Sequence, residues 1–215
     1  MLVNCSLLLL GSLAGGRASA QSKGAPAPAP SRKLLVVGDS LSAEYGLARG
    51  QGWVALLARR VADAKLPVAV VNASVSGDTT SGGRARLAAL LKQHAPQVVV
   101  IELGGNDALR GLPLTMTQDN LVAMCRAAKA IGARVLVVGM EIPPNYGRRY
   151  SEDFARVFAT VARAEGAALV PFLLKGVADI PDADAMFQPD RIHPKAAAHP
   201  RMLDNVWPVL KPLLG

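Results

Sequence analysis

Leu34-Leu35-Val36-Val37-Gly38-Asp39-Ser40-Leu41-Ser42 is the stretch whose reading decides the fold. Four consecutive apolar residues, two of them β-branched, read as a short strand buried on both faces, and Gly38 and Asp39 end it. Ser40 then lies just past the strand's carboxyl end, on a turn expected to lead into a helix. In an open α/β sheet ligands bind along that edge, so a hydroxyl held there is placed to act as a nucleophile. Gly, Asp and Ser are also common turn formers, and an ordinary strand-ending turn is the competing reading.

The pattern recurs along the chain. Residues 68–71, 98–101, 135–138 and 168–170 read as four further buried strands. Between them the periodicity predicts helices over about 53–62, 84–94 and 118–131, the last ended by Gly132, and one opened by a Ser151 cap with Glu152 and Asp153 behind it. A last helix is expected after His193-Pro194. Strands alternating with helices at these lengths imply right-handed βα units. The expected architecture is a three-layer α/β/α sandwich around a central five-stranded parallel sheet.

With 215 residues, 51% of them apolar, the chain suits one sizeable core and is neither disordered nor disulfide-built. The formal charge of +8 favours anionic ligands or surfaces. No basic cluster with interleaved aromatics is present, so nucleic acid is not an expected partner; Arg148-Arg149 between Tyr146 and Tyr150 reads as a loop that pairs locally. No HExxH, CxxC or carboxylate cluster points to a metal, and no cofactor is expected. The glycine-rich run from Ser76 to Arg84 has Gly83 where a phosphate loop needs lysine.

Leu7 to Leu10, Leu13 and Ala14 form a short apolar run, and Ala18-Ser19-Ala20 before Gln21 has the form of a signal-peptidase site. Residues 1–20 are therefore expected to be a signal peptide cleaved after Ala20, although no Lys or Arg precedes the run. It is too short to span a bilayer. Residues 21–31 read as an extended Pro/Ala linker and 32–215 as the domain, which is expected in the periplasm or secreted, as a monomer. Cleavage removes Cys5. Cys125 remains, at helical spacing with Leu121, Met124 and Ala128, and is expected in the core.

The strand-ending loops should gather on the edge that carries Ser40. Gly77 offers a backbone N–H without a Cβ in the way, and Asn106, after Gly104-Gly105, offers an amide. With the N–H of Ser40 they would make a three-donor pocket for an oxyanion. A serine needs a base, and three histidines compete. His94 closes a helix, and His199 lies in the last helix with no acid spaced to orient it, which reads as surface. His193 has Asp190 one turn before it and Pro194 after it, a proline able to start the last helix, so one ring nitrogen is oriented and the other is free to take a proton.

Gly38-Asp39-Ser40-Leu41-Ser42, Gly77 in its loop, Gly104-Gly105-Asn106-Asp107 and Asp190-Arg191-Ile192-His193-Pro194 resemble, in order, the blocks of the GDSL or SGNH hydrolases. Leu90 to His94 and Asn145 to Tyr150 also resemble the periplasmic members that cleave aryl esters, thioesters and lysophospholipids. The resemblance implies a flavodoxin-like fold, with Ser40 as nucleophile, His193 as base and Asp190 as its orienter. It implies Ser40, Gly77 and Asn106 as the oxyanion hole, and Leu109, Leu112 and Leu114 as the apolar wall of an acyl groove; core packing is the alternative for these leucines. The implied substrate is a small-molecule acyl ester or thioester, with transient contact with a lipid surface. A carbohydrate O-acetylesterase is the alternative of the same fold, and a non-catalytic acyl-binding module is disfavoured because Ser40, Asn106 and His193 are all present. The chain departs from the pattern at Arg191, where a glycine is common and a cation would come beside the triad. It departs again at Pro200, where the last helix must kink or start late.

Overall fold

The computed structural model describes residues 32–142 and 144–215; the leader 1–20 with Cys5 and the linker 21–31 lie outside the described residues. Five strands, β1 (Arg32–Gly38), β2 (Val68–Asn72), β3 (Val98–Glu102), β4 (Arg134–Val138) and β5 (Ala168–Val170), form one sheet in the order β2-β1-β3-β4-β5. Every neighbouring pair is parallel. Leu34 to Val37 are wholly buried, as are Val99, Val100 and Ile101 of β3, which is why these segments are apolar runs instead of alternating ones.

Helices α1 (Trp53–Asp63) and α6 (His199–Leu210) pack together, while α2 (Thr80–His94), α4 (Leu114–Ala130) and α5 (Arg148–Glu165) form the second helical layer; α3 (Gly105–Leu109) is a short turn of helix after β3. The chain moves from β1 outward to β2 and then returns to place β3 on the other side of β1. At such a switch point the connections diverge and leave a crevice at the strands' carboxyl ends. Ser40 follows β1 and Asn106 opens α3 after β3, so the topology alone brings both to that crevice.

The core follows the sequence pattern. Cys125 is buried beside Leu121, Met124 and Ala128 on α4, and the stripe Phe154, Val157, Phe158 and Val161 of α5 faces inward. Phe154 and Phe158 pack edge to face, with ring centroids 5.1 Å apart.

Several boundaries differ from expectation, each for a local reason. Residues 40–46 run as successive turns before α1 starts at Trp53, where the periodicity puts it. Helix α2 starts at Thr80 because the Thr79 side chain accepts the Gly82 N–H at 3.2 Å. Helix α4 starts at Leu114, which puts that leucine in the helix. Ser151 is not a cap: Gly147, with φ of 100°, turns the chain into α5, and Ser151 Oγ donates back to the Gly147 carbonyl at 3.2 Å. Arg148 and Arg149 accordingly belong to a helix and not a loop, each reaching one turn ahead to Glu152 and Asp153.

The C-terminal segment holds two corrections. Pro194 does not begin a helix; it pairs with Phe187 in an isolated antiparallel bridge, and α6 starts late, with Pro200 inside its first turn. A proline there removes no helical hydrogen bond and kinks nothing. His199 is not on the surface. It is 2% exposed, and its Nδ1 accepts the Trp53 N–H at 3.0 Å, capping the first amide of α1 that Gly52 has no side chain to reach.

Burial pushes His199 below its ordinary value, against a hydrogen bond to Pro194 and the charge of Glu44. The folded chain therefore takes up this proton less readily than the unfolded chain. The stabilisation is complete above the ordinary value of 6.5 and is lost as pH falls below it. His199→Asn keeps an acceptor near the Nδ1 position but cannot titrate. Urea unfolding should show this variant less stable at neutral pH and losing less stability than the parent between about pH 7 and pH 5. Parallel pH dependences would remove His199 as a source of acid sensitivity.

Candidate active site

The turn that presents Ser40 is held from below. The Asp39 carbonyl accepts the N–H groups of Ser42 at 3.3 Å and Ala43 at 2.9 Å, and its Oδ1 accepts that of Leu41 at 3.0 Å. Glu102, the last residue of β3, lies buried under this turn. Its Oε2 accepts the Ser42 hydroxyl at 2.6 Å and the Asp39 N–H at 3.4 Å, and the Trp53 indole N–H donates to Ser42 Oγ at 3.2 Å. Gly38 is required by this packing, since a Cβ there would stand 2.7 Å from Ser42 Oγ and 2.8 Å from Glu102 Oε2. Sequence reasoning passed over Glu102. The signal was a carboxyl closing an otherwise apolar strand, in a place where an acid needs a partner.

Two buried carboxyls side by side disturb each other. Burial, reinforced by the charge of Asp39, holds Glu102 well above the usual carboxylate range. Burial pushes Asp39 up to about 6, against the pull of the Leu41 N–H, His193 and Asn106, with Asp78 adding to the push.

Ser40, His193 and Asp190 are brought together in a chain. Ser40 Oγ lies 2.9 Å from His193 Nε2, and His193 Nδ1 lies 2.7 Å from Asp190 Oδ2. Asp190 Oδ1 accepts the N–H groups of Ile192 and His193, both at 3.0 Å. One oxygen thereby shapes the turn and the other fixes the imidazole, so Nδ1 carries the proton and Nε2 faces the serine as acceptor. Desolvation works against the Asp190 charge, but these three hydrogen bonds and the imidazole outweigh it and lower Asp190 to about 2. Tyr45, which sequence reasoning did not single out, lies over the imidazole with ring centroids 4.3 Å apart.

Asn106 joins the loops after β1, β2 and β3. Its Nδ2 donates to Asp39 Oδ2 at 3.2 Å and to the Asp78 carbonyl at 3.0 Å, so both amide hydrogens have partners. An oxyanion would share or displace one of them. The N–H groups of Ser40 and Gly77 donate to nothing among the described residues, and Gly77 has φ of 78°, a conformation open to glycine. Arg110 donates to the Gly77 carbonyl at 3.0 Å and ties the loop after α3 to the Gly77 loop. On that loop Leu109 and Leu112 are half-buried, and Leu114, also half-buried, packs on the core, so core packing accounts for part of this last leucine.

Arg191 has φ of 57°, the left-handed region, which explains why a glycine suits the position and costs a non-glycine residue about 1 kcal/mol. Its guanidinium pairs with Asp184, 3.5 Å from Oδ2, with both side chains exposed.

A hydroxyl hydrogen-bonded to an oriented imidazole, beside N–H donors at the switch point of a doubly wound sheet, suits attack on an acyl carbon. The class that such a fold and site define is the serine-type acyl hydrolases. Residues 36–201 match the GDSL-like Lipase/Acylhydrolase family, and the chain belongs to that family. As a member it is a hydrolase of acyl esters. It is 56% identical over 186 residues to Esterase TesA of Pseudomonas aeruginosa, covering 86% of this chain and 91% of that protein. It is 41% identical over 182 residues to Thioesterase 1/protease 1/lysophospholipase L1 of Escherichia coli strain K12, covering 85% of each. A crystal structure of TesA matches it with a TM-score of 0.81 at 56% identity, covering 85% of this chain and 99% of that one.

The packing under the turn yields a direct test. Gly38→Ala forces Ser42 and Glu102 apart, and should lower unfolding stability by about 1–3 kcal/mol, as overpacked sites do. It should also lower kcat/KM for an activated ester at least about tenfold by displacing Ser40. Parent-like stability and rate would show that the close approach at Gly38 does not control the turn.

Proposed function

We propose that the protein hydrolyses carboxylic esters and thioesters of acyl chains through an acyl-enzyme on Ser40. The observation that carries this reading is the continuous chain from Ser40 Oγ through His193 to Asp190, with links of 2.9 and 2.7 Å. His193 Nε2 takes the serine proton as Oγ attacks the acyl carbon. The carbonyl oxygen becomes an oxyanion facing the N–H groups of Ser40 and Gly77 and the amide of Asn106. Collapse breaks the bond to the leaving oxygen or sulfur, which receives the proton from His193. Water, deprotonated by the same nitrogen, then attacks the acyl-Ser40 ester and releases the acid, returning the proton to Ser40. Asp190 stays ionised throughout and supports the imidazolium that forms twice per cycle.

Leu109, Leu112 and Leu114 supply the apolar wall for the acyl chain in this reading. The names of the relatives, an esterase and a thioesterase and lysophospholipase, favour ester and thioester substrates. The apolar run and Ala18-Ser19-Ala20 support export to the periplasm or beyond, with 1–20 as leader, 21–31 as linker and 32–215 as a domain working as a monomer. No described helix is long and apolar enough to cross a membrane.

Release of p-nitrophenol from short acyl esters tests the assignment. Ser40→Ala and His193→Ala should each lose at least about 10³-fold in kcat with the fold retained. Asn106→Ala should lose about 10²–10³-fold, the usual effect of one oxyanion donor. A Ser40→Ala variant with most of its activity would refute the reading. A series of lengthening acyl esters and thioesters then separates an acyl-chain hydrolase, which keeps its rate, from an acetylesterase, which loses it sharply.

A further inference from the structure

The catalytic reading fixes where a leaving group must go, and one exposed side chain stands there. His193 Nε2 delivers the proton to the leaving atom, so that atom lies within hydrogen-bond reach of the imidazole, on the histidine side of Ser40. The oxyanion donors Gly77 and Asn106 belong to the loops after β2 and β3, where Asn106 donates to the Asp78 carbonyl and Arg110 to the Gly77 carbonyl. Tyr45 covers the histidine side. Its ring lies over the imidazole at 4.3 Å with the planes tilted by 36°, yet the residue is 50% exposed, so half of its surface faces outward beside the base.

The ring sits on a rigid base. The Tyr45 N–H donates to the Ser40 carbonyl at 3.3 Å, and the Tyr45 carbonyl accepts Gln188 Nε2 at 3.0 Å. Gln188 in turn donates its own N–H to the His193 carbonyl at 2.8 Å and its amide to the Pro194 carbonyl at 3.2 Å. Tyr45 is therefore fastened to both the serine turn and the histidine loop. The contact with the imidazole uses only part of the ring, and the half left in water is open to a flat partner passing over the base.

We propose that Tyr45 is the leaving-group contact of this enzyme, an aromatic shelf beside His193 that favours flat aryl leaving groups over small aliphatic ones. The inference rests on the Ser40 and His193 roles given above. An aryl ring leaving from the acyl carbon keeps offset contact with the Tyr45 face while its oxygen takes the proton from Nε2. A short alkyl alcohol is too small to cover that face, so it gains little from the ring.

The test holds the acyl group constant and changes only the leaving group, comparing kcat/KM for naphthyl acetate and trifluoroethyl acetate. Because kcat/KM reports acylation, the ratio of the two within each variant reads the leaving-group contact, and intrinsic ester reactivity cancels when variants are compared. Tyr45→Ala should lower the naphthyl-to-trifluoroethyl ratio about tenfold, the scale of one lost apolar contact in a specificity pocket. Tyr45→Phe, which keeps the ring, should keep the parent ratio. An unchanged ratio in Tyr45→Ala overturns the proposal, whether both rates fall together, which would mean that Tyr45 acts only by supporting His193, or neither falls. Ser40→Ala must lose both esters in the same assay. Retained turnover there would overturn the catalytic reading itself, independently of the Tyr45 ratios.

Discussion

Asp39 ties together the nucleophile turn, the end of β3 and Asn106. Its backbone oxygen and Oδ1 close the turn that lifts Ser40 out of β1, its Oδ2 takes an amide hydrogen of Asn106 from the loop after β3, and its N–H rests on Glu102. Asn106 passes the connection to Asp78, one residue beyond Gly77. Three loops from three strands are thereby held to one buried anion, and the relative placement of the proposed nucleophile and oxyanion donors follows from it. This arrangement costs stability. Asp39 is pushed up to about 6 by burial, so the folded chain resists an ionisation that the unfolded chain completes near 3.8, and folding is penalised as pH rises between those values. Asp190 acts in the opposite sense: lowered to about 2, it stabilises the fold above its ordinary value of 3.8 and loses that contribution as pH falls toward 2. Strain of this kind gathers where geometry must be fixed for chemistry.

Glu102 underlies the turn at Ser40. Burial and the Asp39 charge hold its carboxyl well above the usual range, and it receives the Ser42 hydroxyl, which in turn receives the Trp53 indole. The chain of contacts runs from the sheet through the turn to the first residue of α1, whose amide is capped by His199 of α6. The helical layer on that face and the nucleophile turn are thus one polar network inside an apolar core, each member supplied with a partner.

Much of this was legible from the residues alone. Apolar runs located all five strands, because a parallel sheet covered on both sides leaves no polar alternation to confuse the reading. The strand-ending loops and the Asp190-x-x-His193 spacing brought the candidate site residues to one edge, since topology puts the carboxyl ends of parallel strands together. What escaped depends on partners remote in sequence. Nothing around His199 announces that its ring caps a helix starting 146 residues earlier. Gly147 outweighs the capping propensity of Ser151 because its positive φ turns the chain first. Arg191 was located in the right loop, but only the fold tells that Leu114 opens α4 and packs on the core and that Arg191 pairs with Asp184.

The site is polarised about Ser40. N–H donors and half-buried leucines lie toward β2 and β3, and the imidazole with its aromatic neighbour lies toward the loop before α6. The central claim is that Ser40 is the atom on which an acyl group is carried. It is tested most directly by treating the intact protein near neutral pH with an alkyl fluorophosphonate and mapping the adduct by peptide mass spectrometry. A single phosphonylated serine is expected, at position 40, with hydrolysis lost in proportion to labelling. An adduct on another residue, or full inactivation with an unmodified Ser40 peptide, would contradict it.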